Sequence, residues 1–355
     1  MAVWLWKVPS VQRTSKVDSP QSVSVLVPFR NEQAHLSQLV ENLSKQKHVD
    51  FEVIFINDHS IDHSLAVLQE VMANAQFSWK LLELDEATGK KAALKVGIEN
   101  ASCEIIVTTD ADCQMGPLWL QTISANFIDP AIQMVLGPIM LTGNSPWQTL
   151  QAIEYTPLVG ITRIMAEQGQ PTMANGGNLA YRKEAFFQVS GFDGIDQTPS
   201  GDDELLMHKI ARQFPGSVVY ESSSEAVVTT DALPDWKSFL NQRLRWASKW
   251  RVAKRPGTMG MAIFIVLVQL ATLSMMVGLF LWPAYRLWFG MGIIFKLLTE
   301  FIFVWKIRKT YSFGTPINYF ILCFILYPFY ALYFGLAANF INFEWKGRKY
   351  ASGVK

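Results

Sequence analysis

The sequence predicts an α/β domain with a mainly parallel sheet, followed by a C-terminal region of membrane helices. Three observations predict it. Short β-branched runs alternate with helix-like periodicity through the first third of the chain. Polar, acidic stretches follow the ends of those runs, where parallel sheets place their ligand-binding loops. Beyond Gly257 the mixture of charged and apolar residues gives way to long apolar runs that suit lipid better than water.

The elements follow in chain order. Ser22–Phe29 (SVSVLVPF) reads as a strand, and Leu36, Leu39, Val40 and Leu43 then recur at helical spacing. Phe51–Asn57 (FEVIFIN) reads as a second strand, with Leu65, Leu68, Val71 and Met72 forming the helix after it. Lys80–Leu84 and Ile105–Thr109 are further strands. Asp235 can cap a helix that runs to about Trp250 and is amphipathic: Gln242, Arg245 and Lys249 share one face, while Trp236, Leu240, Leu244, Ala247 and Trp250 largely share another. Such a helix can lie along a membrane with its apolar side down.

Three apolar segments complete the chain. Met259–Trp282 carries no charge and matches the length needed to cross ~30 Å of hydrocarbon. Leu287–Trp305 also qualifies, with Lys296 and Glu300 placed to pair on one helix face. Ile317–Phe343 is longer, and Pro328 in its middle predicts a kink. Three crossings would carry the basic tail (Lys346, Arg348, Lys349) to the side opposite the catalytic domain, against the positive-inside tendency. Either the last segment re-enters or the tail is an exception. The expected organisation is a lead-in at 1–20 with interfacial contact through Trp4 and Trp6, a catalytic domain at 21–234, the amphipathic helix at 235–256, a transmembrane region at 257–345 and a basic tail at 346–355.

Composition bounds the function classes. A hydrophobic share of 50% is high for a soluble enzyme, and a mean hydropathy of +0.16 is low for a chain that is membrane throughout. The net charge of +1 gives no reason to expect nucleic acid as a partner. Basic clusters border the apolar runs, as cytoplasmic flanks of membrane helices do. Cys103, Cys113 and Cys323 show no paired or metal-type spacing, which fits a reduced, cytoplasmic setting.

The residues that carry chemistry sit where strands end. Thr108-Thr109-Asp110-Ala111-Asp112 sets two carboxylates one residue apart after an apolar strand. Their repulsion is relieved by a hard divalent cation, Mg²⁺ or Mn²⁺, which takes one or two carboxylates plus phosphate oxygens. A solvated acidic loop shows the same spacing. Asp58 and Asp62 follow the second strand, where a carboxylate can accept from a nucleotide's base or ribose, or cap a helix. Pro28, Arg30 and Glu32 end the first strand similarly, and Gly89-Lys90-Lys91 opens a helix suited to anionic phosphate. Gly201-Asp202-Asp203-Glu204 offers a general base, although acids at a helix N-terminus also satisfy the helix dipole.

PFRNE, INDHSID, TGKKAAL, TTDADC, NGGN, GDDELL and QRLRW occur in this order from about Ser22 to Trp250. Together they resemble the inverting family-2 glycosyltransferases with a GT-A fold, a Rossmann-like nucleotide-diphospho-sugar domain. The resemblance implies that Asp58 contacts the nucleoside and Lys90 sits near the nucleotide. Asp110 and Asp112 would be the metal-binding Asp-x-Asp pair, with Asp112 the firmer ligand. Asn175, Gly176, Gly177 and Asn178 would line the donor-sugar and acceptor pocket. Asp203 would be the general base, with Asp202 in the place of the family's usual Glu, and Gln242, Arg245 and Trp246 would meet the diphosphate or acceptor. It further implies a nucleotide-sugar donor, most simply a UDP-sugar, a lipid, lipid-linked or growing-glycan acceptor, and a cytoplasmic catalytic domain on a bacterial inner membrane. A processive polysaccharide synthase shares the Gln-x-x-Arg-Trp pattern, but three membrane segments are few for an export channel. A non-catalytic membrane binding protein with a vestigial nucleotide site is the reading from another class, and the intact set of acids argues against it.

Overall fold

The structure is a computed structural model and describes residues 21–47, 50–195, 201–252, 256–337, 343–345 and 348–350. The lead-in at 1–20, Lys254, Arg255 and most of the basic tail lie outside the described residues. The chain divides into two compact units. Of the described residues, one holds those up to Thr142 together with Ile161–Asp231, and the other holds Gly143–Gly160 together with those from Ala232 onward.

The first unit is built on a seven-stranded sheet. Its strands are β1 (Val23–Phe29), β2 (Phe51–Asn57), β3 (Ser78–Glu83), β4 (Ile105–Thr108), β6 (Met134–Leu136), β8 (Leu179–Arg182) and β9 (Val218–Tyr220), in the order β3-β2-β1-β4-β8-β6-β9. Neighbours are parallel except around β8, which runs antiparallel to both β4 and β6. Between the strands lie α1 (Leu36–Ser44), α2 (Ser64–Met72), α3 (Lys90–Asn100), α4 (Trp119–Ser124), α6 (Lys183–Gln188) and α7 (Glu204–Gln213). A smaller sheet joins β5 (Cys113–Met115), β10 (Val228–Asp231) and β7 (Ile139–Thr142).

The alternation of side chains along each strand builds two cores. Val23, Val25, Val27 and Phe29 of β1 face Leu36, Leu39 and Leu43 of α1 and Leu68 of α2. Leu26, Ile54, Ile56 and Ile106 point the other way, onto Ala93, Leu94 and Ile98 of α3 and Leu206, Met207 and Ile210 of α7. With helices on both faces the central strands read as near-continuous apolar runs. Full burial of each such Leu or Ile contributes about 1.5–3 kcal/mol.

The second unit begins with the first part of α5 (Pro146–Glu167) and continues through α8 (Trp236–Val252), α9 (Pro256–Leu281), α10 (Arg286–Thr310) and α11 (Ile317–Ala337). The last three are long and apolar enough to cross a membrane. The third is described over Ile317–Ala337, and a short antiparallel pair, β11 (Phe343–Trp345) and β12 (Arg348–Tyr350), occupies the stretch read as the end of the apolar segment and a simple tail. As expected, Asp235 caps α8, its carboxylate accepting from the Ser238 N–H at 2.9 Å and hydroxyl at 2.7 Å. The buried face of α8 departs from the expected one. Phe239, Arg243 and Leu244 are buried while Trp236 is half exposed.

Candidate active site

Strand register sets the frame of the site. Phe29 pairs with Asn57 and Leu26 with Thr108, so the loops after β1, β2 and β4 leave the sheet at one edge. Leu179 lies opposite Thr108, which brings the Asn175–Asn178 loop to that edge from the other direction. The Thr108 hydroxyl donates to the Gly176 carbonyl at 2.7 Å and fixes the two loops side by side.

At the β1 and β2 ends, the Arg30 Nη1 donates to the Asp58 carbonyl at 2.8 Å. The buried Asp58 carboxylate accepts the Gly89 N–H at 3.0 Å, tying the second strand to the start of α3. Gly89 has φ 99°, a conformation that a side chain would strain, and it turns the chain so that Lys90 opens the helix toward the carboxylates. Glu32 is buried, and the His35 imidazole lies 2.8 Å from its carboxylate. That hydrogen bond raises the His35 pKa against the opposing effect of burial, and the charges of Asp112 and Asp231 add to the rise.

The charged centre converges on Lys90. Its ammonium lies 2.5 Å from Asp110 Oδ1 and 3.4 Å from Asp202 Oδ2. Burial alone would lower the Lys90 pKa, but the carboxylates of Asp110, Asp202 and Asp203 outweigh it and hold the group above the usual lysine range. The glycines of the Asn175–Asn178 loop permit this approach. A Cβ on Gly176 would fall 2.9 Å from Asp202 Oδ2 and 3.0 Å from Lys90 Nζ, and one on Gly177 would fall 3.2 Å from Asp110 Oδ2. Asp203 caps α7 by accepting the Glu204 N–H on Oδ1 at 2.6 Å, while Oδ2 accepts the Gly176 N–H at 3.3 Å. The dipole role of the acidic motif and its place beside the lysine therefore coexist.

Asp110 and Asp112 offer oxygens and Cys113 offers sulfur within 4.8 Å of one another. Asp112 is exposed and takes a hydrogen bond from the Thr230 hydroxyl at 3.2 Å. The two carboxylates are oxygen donors of the kind a hard divalent cation takes, and the Lys90 ammonium shares Asp110 with any such ion. Burial and the two neighbouring carboxylates push the Cys113 thiol well above its ordinary pKa.

Two residues expected to meet substrate instead brace the loops. The Asn178 amide donates to the Pro138 and Ala226 carbonyls at 2.8 and 2.9 Å and accepts the Trp119 indole N–H at 2.9 Å, leaving the residue 1% exposed. The Asp62 carboxylate accepts from the Ser64 N–H and hydroxyl and from the Gln33 N–H. Asn175 Oδ1 accepts the Gly177 N–H at 3.1 Å and shapes the loop turn. Pro28, Arg30, Glu32, Asp58, Lys90, Asp110, Asp112, Gly176, Gly177, Asp202 and Asp203 all lie in the loops at this edge or in their supports. Sequence reasoning passed over His35, Cys113 and Thr230. Cys113 adjoins the Asp-x-Asp pair and was open to detection there, but Thr230 is 118 residues from Asp112 and leaves no local signal.

Gln242, Arg245 and Trp246 belong to the other unit. There Gln242 Oε1 accepts from Arg243 Nη1 at 2.8 Å, and Arg243 Nη2 reaches Glu154 of α5 at 2.5 Å. The guanidinium lies 4.6 Å from the Phe239 ring centre and 4.3 Å from that of Trp246. Burial would lower the Arg243 pKa, and the Glu154 carboxylate more than offsets this. Neither Glu154 nor Arg243 stood out in the sequence, because the pair is 89 residues apart.

Residues 24–189 match the family described as Glycosyl transferase family 2. That stretch resembles a family-2 glycosyltransferase domain. The chain is 29% identical over 183 residues to the poly-β-1,6-N-acetyl-D-glucosamine synthase of Staphylococcus aureus (strain COL), an alignment covering 50% of this chain and 43% of the synthase. The Staphylococcus epidermidis synthase is 27% identical over 234 residues, or 64% and 54% of the two chains. The chain thus spans about half the length of these curated relatives. Its fold is similar to that of the mannosyltransferase PcManGT from Pyrobaculum calidifontis, solved with GDP-Man and Mn²⁺. The TM-score is 0.56 at 16% identity, covering 90% of this chain and 86% of that one. The α/β unit is therefore GT-A-like.

Proposed function

We propose that this protein is a glycosyltransferase that moves a sugar from a nucleoside diphosphate donor to a lipid or lipid-linked acceptor at the membrane, with inversion at the anomeric carbon. One observation carries the reading: Asp110, Asp202 and Asp203 converge on the ammonium of Lys90 at the carboxyl edge of the sheet. Asp203 is the general base. Its two oxygens are oriented by the Glu204 and Gly176 N–H groups. The acceptor hydroxyl oxygen bonds to the anomeric carbon, its proton passes to Asp203, and the bond from that carbon to the phosphate oxygen breaks. Lys90 meets the charge that develops on the departing diphosphate. Asp110 and Asp112 would hold a divalent ion, Mg²⁺ or Mn²⁺, which supplies charge neutralisation to the diphosphate when bound. Asp58 and Arg30 shape the nucleoside side, Gly176 and Gly177 the sugar side, and Gln242, Arg245 and Trp246 contact the diphosphate or acceptor. A UDP-sugar donor, a cytoplasmic catalytic domain and a bacterial inner membrane complete the proposal, supported by the bacterial relatives.

A second reading, processive synthesis of a polysaccharide, is favoured by the similarity to the staphylococcal polymer synthases. Product size separates the two. Detergent-solubilised protein incubated with a panel of radiolabelled nucleotide sugars and membrane lipid extract is expected to yield a lipid-extractable product bearing one sugar. A ladder of long products would establish the processive reading instead. In the same assay Asp203→Asn is expected to lower turnover by about 10²–10⁴ while the protein stays folded. Near-full activity of that variant would remove Asp203 as the base.

A further inference from the structure

We infer that, among the described helices, only α9 and α10 cross the bilayer, and that α11 lies along its surface with one apolar face in the lipid, returning the C-terminal hairpin to the side from which α8 leads into the membrane. The inference is independent of the proposed reaction. It rests on contacts inside the second unit, where four observations agree.

The first concerns the pair that does cross. The helices α9 and α10 are joined by a tight turn at Pro283–Tyr285, and small residues let them pack closely. The Phe289 ring sits over Gly278, and the Met275 sulfur over Gly292, leaving no room for a side chain at either glycine. Two antiparallel spans return the chain to the side it left.

The second concerns what covers α11. Near its start, Phe320 is buried with Ile153 of α5 and Val304 of α10. Toward its end, Phe334 is buried with Phe239 and Leu244 of α8, and Tyr330 and Trp147 pack against the same cluster. Phe320 and Phe334 lie about 21 Å apart along a helix, whereas Ile153 and Trp147 span about 9 Å of α5. Besides packing along α9, α11 meets α5 and α8 in clusters about Phe320 and Phe334. These two helices bury the Glu154–Arg243 ion pair between them, and neither α5 nor α8 is among the helices apolar enough to span.

The third concerns the opposite side of α11. Ile317, Ile321, Ile325, Phe329 and Tyr333 recur at every fourth position and are 42–59% exposed. An apolar stripe on a helix that is covered on its other face suits an in-plane position at the lipid boundary. Length and mean hydropathy alone do not distinguish this position from a crossing.

The fourth concerns the chain after α11. The strand β11 lies beside α8, the helix that precedes the first crossing. If α11 crossed, the two would be separated by ~30 Å of hydrocarbon, which is incompatible with contact. An even number of crossings also leaves Lys346, Arg348 and Lys349 on the side where the basic flank of α9 lies, as the positive-inside tendency favours.

Cysteine labelling in sealed vesicles of both orientations tests this. Lys237→Cys on α8 and Ser352→Cys after β12 are introduced separately. Each is exposed to a membrane-impermeant maleimide, and the labelled peptide is identified by mass so that the native cysteines stay in place. Labelling of both positions from the same face is expected. Labelling of Ser352→Cys only from the opposite face, or its protection from both faces, would overturn the inference.

Discussion

At the residue scale, the charge balance around Lys90 is the most consequential feature. Three carboxylates face one ammonium, and removing it leaves them to repel each other and the incoming diphosphate. Lys90→Met is therefore expected to lower turnover by about 10²–10³, the cost of losing one preorganised electrostatic group. Steady-state kinetics should place the loss in kcat more than in KM for the donor. Far from the site, Glu52 illustrates the same physics used for stability. Burial pushes its pKa up, but the Ser24 hydroxyl, the Ser102 N–H and hydroxyl, and Lys80 all hydrogen-bond to it and hold the value at about 2, down from 4.5. A carboxylate with a depressed folded pKa stabilises above its unfolded value and loses that contribution as pH falls. The stabilisation, on the order of 2 kcal/mol, should be present above about pH 4.5 and fade between there and about 2. Denaturation of Glu52→Gln should show a smaller difference between neutral and acid pH than the parent.

At the element scale, the helix carrying the QRLRW motif is anchored by a pair that its sequence does not advertise. Arg243 and Glu154 are both largely buried, and removing one partner leaves an uncompensated charge. Glu154→Gln is expected to destabilise the second unit by about 3–5 kcal/mol. The double variant Glu154→Gln with Arg243→Met should recover part of that loss, read by denaturant unfolding in detergent. The strands and helices of the first unit were legible because β1, β2 and β4 are continuous apolar runs and α1 and α2 show clean helical spacing. Helix α8 and its Asp235 cap were legible for the same reason. The strands of three or four residues in the smaller sheet were not, since β5 and β10 are too short to establish a period and meet only through long-range pairing. In the site, the order of motifs pointed to the loops, whereas the separate duties of Asn178 and Asp62 depended on partners distant in sequence. The buried partner of Arg243 was illegible for the same reason.

At the scale of the whole molecule, the chain joins an α/β unit whose acids gather at one sheet edge to a unit of apolar helices. The division is chemical as well as spatial. Charge is concentrated where the proposed nucleotide sugar would bind, and the long exposed apolar helices suit lipid. Activity is therefore expected to depend on detergent or lipid even though the reacting groups proposed here all lie in the first unit. The most direct measurement is nucleoside diphosphate release by solubilised wild-type and Asp112→Ala protein over a panel of nucleotide sugars, with and without Mg²⁺ or Mn²⁺. Release from one donor that requires the metal and is lost in Asp112→Ala is the predicted result. Release that is indifferent to chelation, or that survives undiminished in Asp112→Ala, would contradict the assignment of the Asp110 and Asp112 centre.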